Sequence, residues 1–277
     1  MSDNCIEVRG VYKIFGRNAD AALALSRACA SKKEVLEKTG CNVGLRNVSL
    51  DIPRGQISCI MGLSGSGKST LVRHFNRLIE PTAGEILADG KDVLKLSAEE
   101  LRNLRRNSIS MVFQSFGLLP HKTVLENVCF GLVARGEPLS KAEPKALPWI
   151  ERVGLVGNEA NYPDELSGGM RQRVGLARAL AMEAPILLMD EAFSALDPLI
   201  RHDMQGLLLE LQATLKKTIV FITHDLDEAL RIGAQIAILR DGEMVQVGSP
   251  EHILHHPADG FVKRFVEKRA VLPSHAG

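Results

Sequence analysis

A glycine-rich segment carries the clearest chemistry in the sequence. Residues 62–70 read Gly-Leu-Ser-Gly-Ser-Gly-Lys-Ser-Thr, which matches the phosphate-loop pattern. The glycines let the backbone curl so that its N–H groups point at phosphate oxygens, and a helix that begins there adds its positive end. We therefore expect a phosphate site formed by Gly62, Ser64, Gly65, Gly67, Lys68, Ser69 and Thr70.

The residues around this segment fit the same chemistry. The apolar run 57–61 precedes it, and apolar residues at helical spacing follow it, so the segment joins a buried strand to a helix. Lys68 would place its charge at the β and γ phosphates, and the Ser69 hydroxyl would bind Mg²⁺, a hard cation that prefers oxygen ligands. A triphosphate with Mg²⁺ is the ligand that these residues predict.

A second set of chemically active side chains follows another apolar run. Residues 186–189 are apolar, and Asp190 and Glu191 come directly after them. Ligands of open α/β sheets bind at this carboxyl end of the strands. Asp190 would join the Mg²⁺ shell, and Glu191 would polarise the attacking water. An isolated pair of this kind is more often two solvated turn acids, but its combination with a phosphate loop favours hydrolysis.

A third motif connects the sequence to a known family. Residues 166–172 read Leu-Ser-Gly-Gly-Met-Arg-Gln and resemble the signature sequence of ATP-binding cassette (ABC) proteins. Ser167, Gly168 and Gly169 lie where a helix is expected to begin, so they offer a hydroxyl and N–H groups to an anion. The resemblance implies that these groups bind the γ phosphate of ATP held by a second subunit, in a site shared across a dimer.

The other marks of this family follow in order. Gln114, after the apolar run 109–113, resembles the loop glutamine that senses Mg²⁺ and the attacking water and reports to the permease. Residues 194–197, which end in Asp197, resemble the loop that crosses the dimer interface. His224 resembles the switch histidine that contacts the γ phosphate. The resemblance thus implies a catalytic set, Glu191, His224 and Gln114, and a Mg²⁺ set, Ser69, Gln114 and Asp190.

The adenine base is expected to stack on an aromatic ring near the start of the chain. Alignment of residues 11–16 with the family favours Phe15 for this contact. Tyr12 is the alternative, and either ring could instead belong to the core.

The hydrophobic pattern predicts an α/β fold. Short apolar runs, read as buried strands, alternate with helical patterns, and an Asp-Gly pair within 240–243 favours a hairpin between two further runs. The five predicted strands are 57–61, 109–113, 186–189, 219–223 and 235–239. The resemblance implies a RecA-like P-loop NTPase core of the ABC type with a helical subdomain and a small antiparallel β subdomain.

The domain organisation follows from the same pattern. The family domain is expected over residues 6–266, followed by a tail, 267–277. Residues 97–169, which Pro138, Pro144 and Pro148 punctuate, are interpreted as a helical subdomain. Residues 17–43 are interpreted as a family-specific insertion that adds one or two surface helices.

Composition excludes several classes of function. A net charge of +1 and 4% aromatic residues speak against a nucleic-acid partner. The five cysteines have no paired spacing, and the histidines at 252, 255 and 256 fit no common closed metal site. The N-terminal residues lack a secretory signal, and no run approaches the roughly 20 apolar residues that cross a bilayer. Any contact with a membrane is therefore expected to go through a protein partner.

Two segments point to a subfamily. Residues 36–40, Leu-Glu-Lys-Thr-Gly, and residues 78–82, Leu-Ile-Glu-Pro-Thr, resemble importers of glycine betaine, choline, proline and related compatible solutes. Some members continue into a pair of cystathionine-β-synthase-type regulatory domains. This sequence stops before them, so we expect no osmotic gating through such a module. Histidine, proline or another amino acid is the alternative cargo.

The resemblance also implies partners. They are a second copy of the chain, an integral membrane permease and, indirectly, an extracytoplasmic solute-binding protein, with this subunit peripheral on the cytoplasmic face of the inner membrane. The alternatives are a non-transport ABC ATPase and a module that binds nucleotide without hydrolysis. About one hundred residues without sustained heptads separate Lys68 from Ser167, which speaks against chromosome-type members. Glu191 and His224 speak against a module that only binds nucleotide.

Overall fold

The computed structural model describes residues 3–270, with side chains described as far as Glu267. The chain divides into two compact units. Unit 1 contains the described residues up to Ser97 and those from Ile222 onward, and unit 2 is Ala98–Phe221. Among the described residues, no helix combines the length and the apolar character that a bilayer crossing requires.

Unit 1 contains an antiparallel sheet of four strands, β1 (Asn4–Phe15), β2 (Asn42–Pro53), β4 (Ala83–Ala88) and β5 (Lys91–Asp92), in the order β2-β1-β4-β5. Buried apolar residues alternate with exposed ones along the two long strands, so one face of the sheet is covered. Val8 illustrates the register, because it lies opposite Leu50 on one side and Ile86 on the other.

Unit 1 also contains three strands in the order β10-β9-β3. Strands β3 (Ile57–Met61) and β9 (Gln235–Arg240) are parallel, and β10 (Glu243–Gly248) pairs with β9 through the predicted Asp-Gly hairpin. The hairpin prediction is confirmed, because Asp241 and Gly242 both have positive φ, as a tight two-residue turn requires. Unit 1 also contains the helices α3 (Lys68–Phe75), α9 (Leu226–Ile232), α10 (Pro250–His255) and α11 (Gly260–Ala270) and a short 3-10 helix, Val93–Lys95.

The segment 17–43, for which the sequence predicts one or two surface helices, forms two, α1 (Ala19–Arg27) and α2 (Lys32–Thr39). Ser31 begins α2 with a reciprocal capping box to Glu34, and Gly40 ends it in the left-handed conformation. β2 begins at Asn42, so the last two residues of the segment 17–43 belong to that strand. Val43 is buried as part of the strand alternation and joins a small core with Ile14, Ala22, Val35 and Cys41.

Unit 2 contains β6 (Ile109–Val112), β7 (Ile186–Asp190) and β8 (Thr218–Thr223) in the order β8-β7-β6, with the unit boundary falling inside β8. The runs predicted as strands in both units are therefore confirmed to within one residue at each end. The helices of unit 2 are α4 (Ala98–Asn103), a π-helical turn (Leu104–Ser108), α5 (Val124–Ala134), α6 (Leu139–Arg152), a 3-10 helix (Pro163–Glu165), α7 (Gly168–Ala181) and α8 (Pro198–Leu215).

The prolines at 138, 144 and 148 do not all interrupt a helix. Pro138 precedes α6 as its N-cap, but Pro144 and Pro148 lie inside that helix. Each interior proline removes one backbone donor. The helix persists because one face, Ala142, Ala146, Trp149 and Ile150, is buried.

We expect Val35→Ala to loosen α2 from the small core that Val35 forms with Ile14, Ala22, Cys41 and Val43. Val35 is fully buried, and removing two buried methyl groups costs about 1–2 kcal/mol. Amide exchange within α2 is then expected to accelerate about tenfold. Leu36→Ala is the matched control, because the neighbouring Leu36 side chain is 52% exposed. Equal acceleration in both variants would show that this core does not hold the helix.

Acid destabilisation is expected to depend on His74. This residue lies on the buried face of α3, and its Nδ1–H donates to the Thr70 carbonyl while Nε2 is buried without a partner. Desolvation lowers the pKa of His74 to about 4, against partial opposition from that hydrogen bond. The folded state therefore keeps the ring neutral at pH values where the unfolded chain binds a proton, and stability falls as pH falls from about 6.5 to about 4.

The measurement is the free energy of unfolding in urea at about pH 7 and about pH 4.5. Between these values His74 is expected to contribute about 2 kcal/mol to the loss, so His74→Leu reduces the loss by that amount. His252→Leu, at an exposed histidine of α10, is expected to leave it unchanged. The same pH dependence in wild type and His74→Leu would contradict this assignment.

Candidate functional site

The phosphate loop of unit 1 runs between β3 and α3. Every residue of β3 is buried, and α3 begins at Lys68 with Gly67 as its N-cap. Gly62 has φ 150°, and a Cβ there would lie 2.1 Å from the Leu239 carbonyl oxygen, so only glycine fits at the first loop position. The strand, loop and helix that the sequence predicted are thus confirmed.

Lys68 is folded into this loop. Its Nζ donates to the carbonyls of Gly62, at 2.8 Å, and Leu63, at 3.0 Å, and the side chain is buried. The ammonium group therefore lies inside the curve of the backbone. Ser66 Oγ is buried in the same loop without a hydrogen-bond partner, so the loop holds a donor suited to a phosphate oxygen.

His224 lies in unit 1 directly after β8, and its side chain is exposed. The backbone on both sides of it is fixed. Thr223 Oγ1 donates to the buried Glu228 carboxylate at 2.5 Å and accepts from the Asp225 N–H at 2.9 Å. Asp225 in turn caps α9. These bonds hold the turn that carries His224.

The two aromatic candidates of β1 differ in exposure. Phe15 is 43% exposed and packs closely on Gly44, where a Cβ would come 2.6 Å from its ring. Lys13 Nζ lies 5.0 Å from the centre of the same ring. Tyr12 is half-buried and lies under the Arg27 guanidinium at 5.7 Å. Phe15 therefore offers the more accessible ring for stacking.

In unit 2, β7 ends at the predicted acidic pair. Asp190 is fully buried, whereas Glu191 has φ 48° and begins a turn. Gln114 Nε2 donates to Glu191 Oε2 at 3.1 Å. The structure thus brings together two predicted site residues that lie 77 positions apart.

The signature motif begins α7 as predicted. Ser167 is the N-cap, and its Oγ accepts from the Met170 N–H at 3.2 Å. Gly168 and Gly169 form the first turn. A Cβ on Gly168 would meet nothing within 4 Å, so open space lies beside this helix end.

The sequence did not single out Gln172, which is almost completely buried in α7. Its Nε2 donates to the Glu191 carbonyl at 3.2 Å, and its Oε1 accepts from the Ala195 N–H at 3.0 Å. Gln172 therefore joins the signature helix to the turn after β7. The sequence signal that could have identified Gln172 is its position as the last residue of the signature motif, 166–172.

Asp197 begins the next helix. Its carboxylate accepts from the Ile200 N–H at 3.0 Å and caps α8, and its side chain is exposed. The predicted site residues thus form two sets. Unit 1 holds the phosphate loop, Phe15 and His224, and unit 2 holds Gln114, Asp190, Glu191, Asp197 and the Ser167–Gly169 turn.

The predicted metal ligands are all oxygen donors. Ser69 offers a hydroxyl, Asp190 a carboxylate and Gln114 an amide carbonyl, which is the chemistry that suits Mg²⁺. Within residues 3–270, no cluster of three or more His, Cys, Asp and Glu side chains could hold a metal ion by itself. All five cysteines are free thiols, and burial raises the pKa of Cys129 to about 11.

The chain resembles known proteins over nearly its whole length. It is 56% identical over 260 residues to the glycine betaine/proline betaine transport system ATP-binding protein ProV of Escherichia coli (strain K12), covering 94% of this chain and 65% of the relative. It is 52% identical over 268 residues to the trimethylamine N-oxide transport system ATP-binding protein TmoW of Ruegeria pomeroyi, covering 97% of this chain and 78% of the relative. The chain thus spans about two thirds of the length of the first of these relatives.

A solved structure shares the fold. The dimeric structure of MJ0796, a bacterial ABC transporter cassette, superposes with a TM-score of 0.77 at 33% identity and covers 88% of this chain and 98% of that one. The α/β cassette fold predicted from the sequence is therefore confirmed. The family profile described as ABC transporter matches residues 45–194. The phosphate loop, the acidic end of β7, the signature helix and these matches together show that the chain belongs to the ABC transporter family.

Proposed function

We propose that this chain is the ATP-binding and ATP-hydrolysing subunit of an ABC importer that takes up a quaternary amine or a related compatible solute. One observation carries the enzymatic part of the proposal. At the end of β7, Asp190 is buried and Glu191 accepts a hydrogen bond from Gln114 at 3.1 Å. A carboxylate in this position, with an amide beside it, suits activation of a water molecule.

The phosphate loop supports ATP as the bound nucleotide. The Lys68 ammonium lies inside the loop, where it would neutralise charge on the β and γ phosphates. The unpartnered Ser66 Oγ fits a site that a phosphate oxygen completes. The remaining contacts would come from Gly62, Ser64, Gly65, Gly67, Ser69 and Thr70, with adenine on Phe15.

Hydrolysis would use three side chains. Glu191 would accept the proton of the attacking water, and Gln114 would orient that water and the carboxylate together. His224 would donate a hydrogen bond to the γ phosphate. Ser69, Asp190 and Gln114 would hold Mg²⁺, which supplies neutralisation of phosphate charge.

The signature turn supports a second copy of the chain as partner. Ser167, Gly168 and Gly169 open α7 toward unfilled space, and such a helix end suits an anion. In the proposed dimer this turn contacts the γ phosphate bound by the partner copy, and Asp197 lies near the interface. The related cassette MJ0796 is a dimer in its solved structure.

The proposed importer also contains an integral membrane permease and, indirectly, an extracytoplasmic solute-binding protein. The relatives named above are ATP-binding proteins of transport systems, which supports a peripheral position on the cytoplasmic face of the membrane. The loop after Gln114 is the proposed contact with the permease. No nucleic-acid partner is proposed.

The solute class is inferred from the relatives. Their names specify glycine betaine, proline betaine and trimethylamine N-oxide, all of which carry a methylated nitrogen with a formal positive charge. We propose the same chemistry for the cargo of this system. An amino acid such as histidine or proline is the alternative cargo, and a non-transport ABC ATPase is the alternative class.

We expect Glu191→Gln to retain ATP binding, to favour a stable dimer and to lose steady-state ATP hydrolysis by about 10²-fold or more, because the amide cannot accept the proton of water. Phosphate release and equilibrium nucleotide binding are the measurements. Glu210→Gln, at an exposed carboxylate of α8, is the matched control and is expected to retain full turnover. Unchanged hydrolysis in Glu191→Gln would remove Glu191 from the catalytic role.

The solute proposal is tested by reconstitution with the co-purifying permease and solute-binding protein in liposomes. ATP-dependent accumulation of radiolabelled glycine betaine and choline is expected to exceed that of histidine by about tenfold or more, since a site for a methylated cation discriminates against a hydrogen-bonding ring. Accumulation of proline is expected to lie between that of glycine betaine and that of histidine. Preferential uptake of histidine would replace the proposed cargo, and failure to copurify any polytopic membrane protein would favour a non-transport function.

A further inference from the structure

One face of α7 lies against the loop that follows Gln114. Arg178 Nη1 donates to the Gly117 carbonyl at 2.6 Å, and Nη2 donates to the Phe116 carbonyl at 2.9 Å. The two nitrogens thus donate to the carbonyls of consecutive residues, a geometry that the rigid, planar guanidinium group favours. The contact joins positions 61 and 62 residues apart in sequence.

Two neighbours on α7 add to this contact. Arg171 lies two helical turns before Arg178 on the same face of α7, and its guanidinium carbon is 5.7 Å from the centre of the Phe116 ring. Between them is Gly175, where a Cβ would approach the Phe116 carbonyl oxygen to 3.4 Å. Positions 171, 175 and 178 have the spacing of a single helix face. This face therefore packs on one short loop.

The loop has an unusual backbone that needs such support. Phe116 has φ 64° and Gly117 has φ 57°. A left-handed conformation at a bulky residue such as Phe116 costs on the order of 1 kcal/mol and persists only where the surroundings fix it. The Phe116 N–H donates to the Phe113 carbonyl at 3.0 Å, and the Gly117 N–H donates to the Ser115 carbonyl at 2.7 Å. The turn that carries Gln114 is thus tied to α7 through the two carbonyls that Arg178 holds.

The Arg178 side chain is half-buried, so part of its hydration is lost, and its observed partners are neutral. Desolvation lowers the pKa of Arg178. Among the described residues no carboxylate pairs with Arg178, so its two hydrogen bonds to carbonyls offset the cost of its desolvation. A half-buried cation that donates to two backbone carbonyls fixes the position of that backbone.

From these contacts we infer that Arg178 is a positioning residue that makes the Gln114 loop move as one body with the signature helix. The same helix holds the Glu191 carbonyl through Gln172. Both members of the Gln114–Glu191 pair are thus tied to α7, whose first turn is Ser167–Gly169. Displacement of the signature end would displace the pair with it. The expected effect of Arg178 on ATP hydrolysis rests on the proposed function, whereas its contact with the Gln114 loop does not.

Arg178→Met tests the link, because methionine has similar bulk and no donor. Arg173→Met is the matched control, since Arg173 lies on the same helix and donates to two carbonyls of another turn, Val153 and Gly154, both at 2.9 Å. Amide exchange of Phe116 and Gly117, followed by mass spectrometry in the full-length protein, is expected to accelerate about tenfold or more in Arg178→Met and to stay unchanged in Arg173→Met. In the control, faster exchange is expected at Gly154 instead.

Steady-state kinetics gives the second readout. Arg178→Met is expected to lower kcat for ATP hydrolysis by about tenfold while KM for ATP stays within about twofold, because misplacement of Gln114 and Glu191 affects the transition state more than nucleotide binding. Arg173→Met is expected to keep kcat within about twofold of wild type. Arg178→Lys, which retains the cation and can hold one carbonyl, is expected to restore part of kcat and remains informative if the Met variant does not fold.

The outcomes separate this inference from the proposed function. Unchanged exchange at Phe116 and Gly117 in Arg178→Met and Arg178→Lys, or equal losses of kcat in Arg178→Met and Arg173→Met, would overturn the positioning role while wild-type hydrolysis stands. Absence of ATP hydrolysis in the wild type would overturn the proposed function, and the exchange experiment would still decide whether Arg178 fixes the loop.

Discussion

The two hydrogen bonds of the Gln172 amide fix the turn that follows β7 and carries the Glu191 carboxylate. A buried side-chain amide is stable only when both its donor and its acceptor are paired. Gln172 meets this condition with the Glu191 carbonyl and the Ala195 N–H. Because Glu191 leaves the strand through a left-handed turn, its backbone would otherwise have several ways to continue. The bond from the helix selects one of them and directs the carboxylate to Gln114.

In unit 1, backbone carbonyls likewise fix the residues of the phosphate loop. The Lys68 ammonium group is held by two carbonyls of its own loop, and Gly62 is confined by the Leu239 carbonyl. These contacts restrict the backbone of the loop, so less conformational entropy is lost when the loop binds an anion. A phosphate oxygen can replace carbonyls as the partner of the ammonium group with little movement of the backbone.

The segment 17–43 is held against the strands of unit 1 by few residues. Val35 and Ala22 of the two helices pack on Ile14 and Val43 of β1 and β2. A short helix has little stability by itself, so this apolar contact and the Ser31 capping box are what hold α2. The Arg46 side chain adds a hydrogen bond to the Ala30 carbonyl at 2.7 Å, which fixes the connection between the helices.

Local sequence patterns determined most of the secondary structure that carries the site. The phosphate loop, the strand before Asp190 and the helix start at Ser167 are each encoded within about ten residues, because glycine, capping and apolar patterns act on the adjacent backbone. Pro144 and Pro148 are an exception to such local patterns. Their local preference opposes a helix interior, and burial of the opposite face outweighs it.

Only the tertiary structure decided which distant groups meet. Periodicity shows that Gln172 and Arg178 lie on a helix, but it does not show which carbonyl a long side chain reaches. Their partners lie 19 and about 60 residues away, and Gln114 meets Glu191 across 77. The burial that lowers the pKa of His74 likewise depends on what packs over α3. The sequence by itself determined the chemistry available to this protein, and the packing of α7 decided how Gln114 and Glu191 are arranged, because hydrogen bonds between distant residues form only where the folded backbone brings donor and acceptor within about 3 Å.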